Sequence, residues 1–459
     1  MPLILGANSV SGYTVKNSLR FNSGSSDYLN RTISSGGSNT ISTFSCWIKI
    51  SKLSTDRAIY SSSNGTDWFK IQLHNAEYLR IDSRLSSTFI MLKSTSQLFR
   101  DVSAWYNIVV ALDSTNATAE DRCKLYVNGT RVTSFATNTN PSQNDNLVLN
   151  TNSYVQRIGA NQSASDFIDS YLSDVYWIDG TALTPSSFGE TDTLSGIWIP
   201  KAYTGTYGTN GFYLKFANSA SLGTDSSGNG NNFTVNNLTS VDQSTDTPTN
   251  NFASWNSIGG TNLSTFTEGN LRASTATTGS WKSAFSTLGV STGKWYAEIK
   301  WTAGSHILVG FSSARTVGNY TDLSVSPEAY TLYQSGNIYN NNGVISTGYS
   351  NSFSSGTVIG LALDKTNNKM YWSLNGTFAN SADPVAGTGG ISLSADTNEF
   401  WQFCISSYTS SGTGQYDANF GSPIYSANSY TDSAGYGNFS YSVPSGYYAL
   451  NTKNLANYG

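Results

Sequence analysis

The residues in this chain that could do acid–base or metal chemistry are few and far apart. Its seven glutamates are Glu77, Glu120, Glu190, Glu268, Glu298, Glu328 and Glu399. Protein-catalysed hydrolysis of a glycosidic bond needs two facing carboxylates, which an E-x-D-x-x-E run on one strand would supply. None of the seven stands in such a run, so a pair would have to be assembled from distant strands. The histidines, His74 and His306, have no sequence neighbours that would make a nucleophile–base triad or a zinc site. The three cysteines, Cys46, Cys123 and Cys404, lie inside apolar runs (FSCWIKI, RCKLYV, WQFCIS) at unpaired spacings. They read as buried thiols of a protein made in a reducing compartment. No catalytic residue is expected.

Two groups of residues are better suited to binding. The loop Asp225-Ser226-Ser227-Gly228-Asn229-Gly230-Asn231 places oxygen-bearing side chains at Asp225, Ser227, Asn229 and Asn231, with glycine at the sixth position. It begins like a calcium loop. Its twelfth position is Asn236 rather than the glutamate that would ligate through both oxygens. Calcium and a turn rich in Asx hydrogen bonds are the two readings of this loop. The second group is aromatic: Tyr203 and Tyr207, Tyr320, Tyr330, Tyr333 and Tyr339, and Tyr408. Flat rings stack on the apolar face of a sugar, while nearby Asn and Asp bond its hydroxyls. The same rings could instead pack over sheet edges or against another subunit.

The elements that must hold these residues are strands. FSCWIKI (44–50) alternates Phe44, Cys46, Ile48 and Ile50 with Ser45, Trp47 and Lys49, a period of two. Similar runs recur at WFKIQL, EYLRI, WYNIVVAL, KLYVNGTRV, YVQRIG, SYLSDVYWID and GFYLKF, and again at KWYAEIKW, ILVGFS, TVIGLALD, KMYWSLNG and FWQFCIS. Asn128-Gly129 and Asn375-Gly376 carry the signature of tight hairpin turns. Turns roughly every ten residues are the pattern of a β-sandwich. Between the two sets of runs lies a polar stretch rich in Gly and Asn, residues 218–252, which reads as the edge of the first sandwich followed by a linker. The expected organisation is a tail at 1–15, a sandwich at 16–217, the linker, a second sandwich at 253–435 and a tail at 436–459. The tails hold Leu3, Ile4, Leu5, Tyr447, Tyr448 and Leu450, and are expected to serve assembly rather than folding.

Composition narrows the partners. Charged residues are 12% of the chain and the net charge is -4, about half the usual 25% charged share. There is no basic footprint for nucleic acid and no apolar run long enough for membrane insertion. With 28 Tyr, 21 Phe and 11 Trp among neutral polar residues, binding is expected to use rings and hydrogen bonds and to tolerate salt. The N-terminus MPLILGANSV lacks the features of a signal peptide.

Residues 16–216 resemble a laminin-G/concanavalin-like domain through SLRFNSGSSDYL, FSCWIKI, WYNIVVALD, KLYVNG and YLSDVYWIDGTALTPSSF. Residues 291–425 resemble a SPRY domain through Gly293-Lys294-Trp295-Tyr296-Ala297-Glu298, Val309-Gly310-Phe311, Gly360-Leu361-Ala362-Leu363-Asp364, Leu374-Asn375-Gly376 and Asn419-Phe420-Gly421. The order of the two, followed by VPSGYYALNTKNL, resembles surface proteins of tailed bacteriophages. The resemblance implies an all-β chain of two antiparallel jelly-roll sandwiches. It also implies a non-catalytic protein of the virion surface, made in the host cytoplasm as part of a fibre or appendage. Its expected partners are a host cell-surface glycan or protein, other virion proteins and further copies of itself. A purely structural decoration or fibre protein and a bacterial adhesin are the alternatives. In SPRY domains the loops at one end of the sandwich bind, which directs attention to residues 313–356.

Overall fold

The computed structural model describes residues 12–258, 264–276, 279–393 and 399–459. It is nearly all β and divides between Thr249 and Asn250 into two compact units. Each unit is an antiparallel sandwich of two large sheets.

In the first unit, one sheet runs Thr130–Arg131, Cys123–Val127, Trp105–Asp113, Ile41–Ile50, Ser170–Asp179, Ser18–Phe21, Gln243–Ser244, with Phe212–Leu214 also on Ser170–Asp179. The facing sheet runs Phe135–Thr139, Thr88–Leu98, Tyr78–Leu85, Trp68–Leu73, Arg57–Ser63, Val155–Ile158, Tyr28–Thr32, Thr234–Asn236. The period-two pattern works as the sequence suggests. Phe44, Cys46, Ile48 and Ile50 enter the core between the sheets, together with Phe69, Ile71, Leu79 and Ile81. The outer side of the first sheet is not left to water. Trp47, Trp105 and Tyr171 form a second apolar layer, with Trp198 packed against it. Val109, Tyr176, Ile178 and Phe188 form a third.

Of the stretch 218–252, expected as domain edge and linker, the structure makes everything up to Thr249 the edge of the first sandwich, and the linker part is corrected. Thr234–Asn236 pairs with Tyr28–Thr32, and Gln243–Ser244 pairs with Ser18–Phe21. Asp246 reaches Lys49 at 2.8 Å, and both side chains are buried. A polar stretch can be structural when strand pairing satisfies its backbone and buried charges find partners. The first sandwich therefore extends to Thr249. Of the expected N-terminal tail, residues 1–11 (with Leu3, Ile4 and Leu5) lie outside the described residues. Val15 is buried, and the Tyr13 hydroxyl donates to Asp174 Oδ2 at 2.8 Å.

In the second unit, one sheet runs Thr265–Thr267, Arg272–Ala276, Thr413–Asn419, Lys294–Ala303, Val358–Asp364, Lys369–Leu374, Thr377–Phe378. The other runs Lys282–Phe285, Trp401–Tyr408, His306–Ser313, Ala329–Tyr333, Ile338–Asn340, Gly343–Ser346. The expected C-terminal tail is also corrected. Tyr448–Ala449 pairs in parallel with Lys294–Ala303, and Thr452–Tyr458 is an α-helix. Phe439, Tyr447 and Leu450 are fully buried.

The two hairpins echo each other in detail. Asn128 and Gly129, like Asn375 and Gly376, have positive φ. Asn128 Oδ1 accepts from the Asn107 amide and Asn375 Oδ1 from the Val358 amide. Each glycine is roofed by a later aromatic residue. A Cβ would lie 2.5 Å from Trp198 at Gly129, and 2.5 Å from Tyr441 at Gly376.

Candidate functional site

The region 313–356, expected as the longest irregular region of the second sandwich with short strands within it, mostly builds the edge of that unit's smaller sheet. Its strands are Ala329–Tyr333, Ile338–Asn340 and Gly343–Ser346. On that sheet Ile307, Val309, Phe311, Phe403, Ile405, Leu332 and Ile338 face the core. Alternation therefore turns His306, Tyr408, Tyr333 and Tyr339 to the opposite face. Part of this outer face is covered, where Val317, Tyr320 and Leu323 pack on Phe285, Ala329 and Cys404.

The part left uncovered by the described residues carries a row of rings running across the strands. Trp281 meets Tyr408 at 5.8 Å between centroids, Tyr408 meets His306 at 5.6 Å, His306 meets Tyr333 at 6.1 Å, and Tyr333 meets Tyr339 at 6.0 Å. Register explains the row. His306 stands opposite Tyr408, Tyr333 opposite Leu308 and Tyr339 opposite Thr331. Neighbouring strands lie about 4.8 Å apart, so rings at similar levels must touch. All five rings are partly exposed.

The histidine in the row has a defined tautomer. Gln334 Oε1 accepts from the Ile307 amide at 2.8 Å, which sets the orientation of its side-chain amide. Gln334 Nε2 then donates to the Ser305 carbonyl and to His306 Nδ1, each at 2.8 Å. The Tyr333 hydroxyl lies 2.8 Å from the same nitrogen. With Nδ1 accepting, the neutral ring carries its proton on Nε2, which is left to donate outward. The row offers flat apolar faces and a directed N–H, and so suits stacking with a hydrogen bond rather than bond cleavage.

The sequence-selected tyrosines thus separate. Tyr333, Tyr339 and Tyr408 share the row. Tyr330 is corrected to a core residue, buried with its ring 6.0 Å from Trp401. Tyr320 half-covers the neighbouring patch. Tyr203 and Tyr207 belong to the first sandwich, where Tyr203 stacks on Phe188 at 5.3 Å and meets Tyr207 edge-on at 5.2 Å. Sequence reasoning missed Trp281 and His306. Nothing local marks them, because strand pairing alone brings them to Tyr408.

The 225–231 loop shows the hydrogen bonds of a turn rich in Asx contacts. Asp225 Oδ1 accepts from the amides of Tyr213 and Ser227, and Oδ2 from Ser227 Oγ and the Asn231 amide. Asn229 and Asn231 each donate Nδ2 to the Gly211 carbonyl, at 2.9 and 2.8 Å. The Asp225 carboxylate and both asparagine amides are thereby engaged in holding the neighbouring 208–213 turn. Among the described residues, no group of three or more His, Cys, Asp or Glu side chains is placed to hold a metal ion. The three cysteines are buried and unbridged.

One carboxyl group is strongly perturbed. Asp174, at a bulge in Ser170–Asp179 with φ 45°, accepts from Tyr13 and Tyr213 at 2.8 and 2.7 Å. Burial pushes its pKa up to about 6, against the lowering effect of the two hydroxyls and Lys215. A raised folded-state value favours the protonated form. Asp174 therefore stabilises the fold fully below about pH 4, and that contribution fades as pH rises through about 6. In urea unfolding, Asp174→Asn minus wild type should become more favourable by about 2 kcal/mol between pH 4 and 7. A flat difference would show that the carboxyl group titrates normally.

Residues 22–187 match the Concanavalin A-like lectin/glucanases superfamily. The first sandwich is thus a concanavalin-like lectin fold, as its sequence resemblance implied. No curated protein matches the chain. Among solved structures, the chain is similar to the SPRY domain of human HERC1, at 18% identity over 31% of this chain and 83% of that one, with a TM-score of 0.26. It is also similar to a native heptameric SAP-like pentraxin from Limulus polyphemus, at 14% identity over 38% and 80%, TM-score 0.29. Stonustoxin is similar at 16% identity over 36% of this chain and 27% of that one, TM-score 0.27.

Proposed function

We propose that this chain is a non-catalytic binding protein of a virion surface, which holds a neutral host glycan on the ring row of its second sandwich. The observation that carries the binding reading is the row itself: Trp281, Tyr408, His306, Tyr333 and Tyr339 in successive contact on an uncovered sheet face. Partly exposed rings cost solvation and earn nothing in the core, whereas a sugar would stack on them. The virion setting is supported by the order of the two modules and the C-terminal motif read from the sequence. Gold-labelled antibody on purified particles tests that setting: label on uninfected cells instead would point to an adhesin.

The binding site has its own test. A glycan array probed with the full chain should give neutral-glycan signals that fall on substituting Trp281, Tyr333 and Tyr408 together by Ala. At about 1 kcal/mol per stacked ring, the triple change should weaken binding on the order of 100-fold. The melting temperature should move by only a few degrees, since the rings are half-exposed. Unchanged binding by a folded variant would remove the row from consideration. No new reducing ends should appear when the chain is incubated with the bound glycan.

A further inference from the structure

The first sandwich carries a second face whose chemistry is different. On the sheet that runs from Phe135–Thr139 to Thr234–Asn236, Phe69, Ile71, Leu79 and Ile81 point into the core. Their alternates point outward. Register brings these into rows: Arg157 opposite Ser61, Ser61 opposite Lys70, and Lys70 opposite Asp82. In the adjoining row, Trp68 stands opposite Arg84, and Arg84 opposite Phe89. Arg80 lies beside them, opposite Gln72.

Four cations thus share this face with one carboxylate, and that carboxylate is engaged. Asp82 accepts from Trp68 Nε1 at 2.7 Å and from Arg80 Nε at 3.0 Å. Asp67, at the end of the Trp68 strand, accepts from the Ser86 amide instead. Among the described residues, no carboxylate lies within ion-pair distance of Lys70, Arg84 or Arg157. In place of one, Arg84 lies 4.6 Å and Lys70 6.0 Å from the Trp68 ring centre, and Arg80 5.5 Å from that of Phe89. Arg157 is half-buried, its Nη1 has no hydrogen-bond partner, and burial lowers its pKa. Desolvated guanidinium and ammonium groups without a counter-charge are costly unless an anion arrives. In a chain with only 25 Lys and Arg among 459 residues, gathering four on one sheet face is a strong local departure.

We infer that this face binds an acidic polysaccharide, with the partly exposed Arg84 and Arg157 meeting its carboxylate or sulfate groups above the buried Lys70 and Trp68, and the exposed Phe89 meeting its sugar rings. Guanidinium forks match both kinds of oxyanion, and the exposed Phe89 ring beside them favours a sugar over a bare polyanion. Unlike binding at the neutral ring row, this contact should weaken as salt screens it.

The full chain is to be measured by biolayer interferometry against immobilised polygalacturonate, dextran sulfate and uncharged dextran, at low and high salt. Binding to either acidic polymer above dextran, weakened at least tenfold by high salt, is the expected result, and the stronger of the two identifies the acid group. Lys70→Gln, Arg84→Gln and Arg157→Gln together should reduce it at least tenfold. Arg84→Glu alone, at a partly exposed position, should do so even if the triple variant folds poorly. The Trp281, Tyr333 and Tyr408 alanine variant should retain it, which separates this face from the ring row. Equal binding to single-stranded DNA, or binding unchanged in folded Arg84→Glu, would overturn the inference.

Discussion

Deleting residues 436–459 is expected to leave the second sandwich unfolded while the first still melts cooperatively. The segment supplies Phe439, Tyr447 and Leu450, all fully buried, and each worth about 1.5–3 kcal/mol of burial. It also satisfies a charge. Glu298 lies in the centre of the Lys294–Ala303 strand with no exposure. Its carboxylate accepts from the Ser440 and Tyr441 amides, each at 2.9 Å, and from Asn419 Nδ2 at 3.1 Å. Burial already raises its pKa. Removing both backbone donors strands a carboxylate in the interior, at about 3–5 kcal/mol. The losses together approach the whole stability of a domain, about 5–15 kcal/mol. Differential scanning calorimetry of the truncated chain should show one transition in place of two. Two intact transitions would mean that the segment only decorates the sandwich.

The second large effect is expected from Asp246→Ala, in the stretch that reads as a linker. Its carboxylate meets Lys49 Nζ at 2.8 Å and Trp105 Nε1 at 3.1 Å, on the outer side of the first sheet. The side chains of Lys49 and Asp246 are 2% and 3% exposed. Taking the carboxylate away from an ammonium that water cannot reach costs about 3–5 kcal/mol. In a domain of this size that lowers the melting temperature by roughly 6–20 °C. Asp246→Asn, which keeps the shape and an acceptor, should cost less. A loss below about 1 kcal/mol in Asp246→Ala would show that 218–249 is peripheral after all.

These two positions show where sequence reading stops. The linker looked like one because its composition is polar, yet Thr234–Asn236 and Gln243–Ser244 extend the two sheets of the first sandwich. Main-chain pairing does not depend on apolar side chains, so composition cannot see it. Glu298 is one of seven glutamates, and its own strand offers it only the Tyr296 hydroxyl, at 3.3 Å. Its partners, Ser440 and Tyr441, lie 142 and 143 residues away.

What the sequence determined by itself was local and periodic. Alternation in Ile41–Ile50 assigned Phe44, Cys46, Ile48 and Ile50 to the core. The Asn-Gly pairs set both hairpins, because only such residues accept positive φ at low cost. Few charges and many aromatics in strand-length runs made an all-β sandwich the natural reading. What only the tertiary structure decided was register and covering. Tyr330 and Tyr333 sit three residues apart in one strand. Period two therefore sends them to opposite faces, and which face is core depends on the partner sheet. Trp281 reaches Tyr408, and Arg157 comes into line with Lys70, only because strands far apart in sequence pair at particular registers. Both rows of side chains are made by cross-strand neighbours, and a linear sequence holds no record of those.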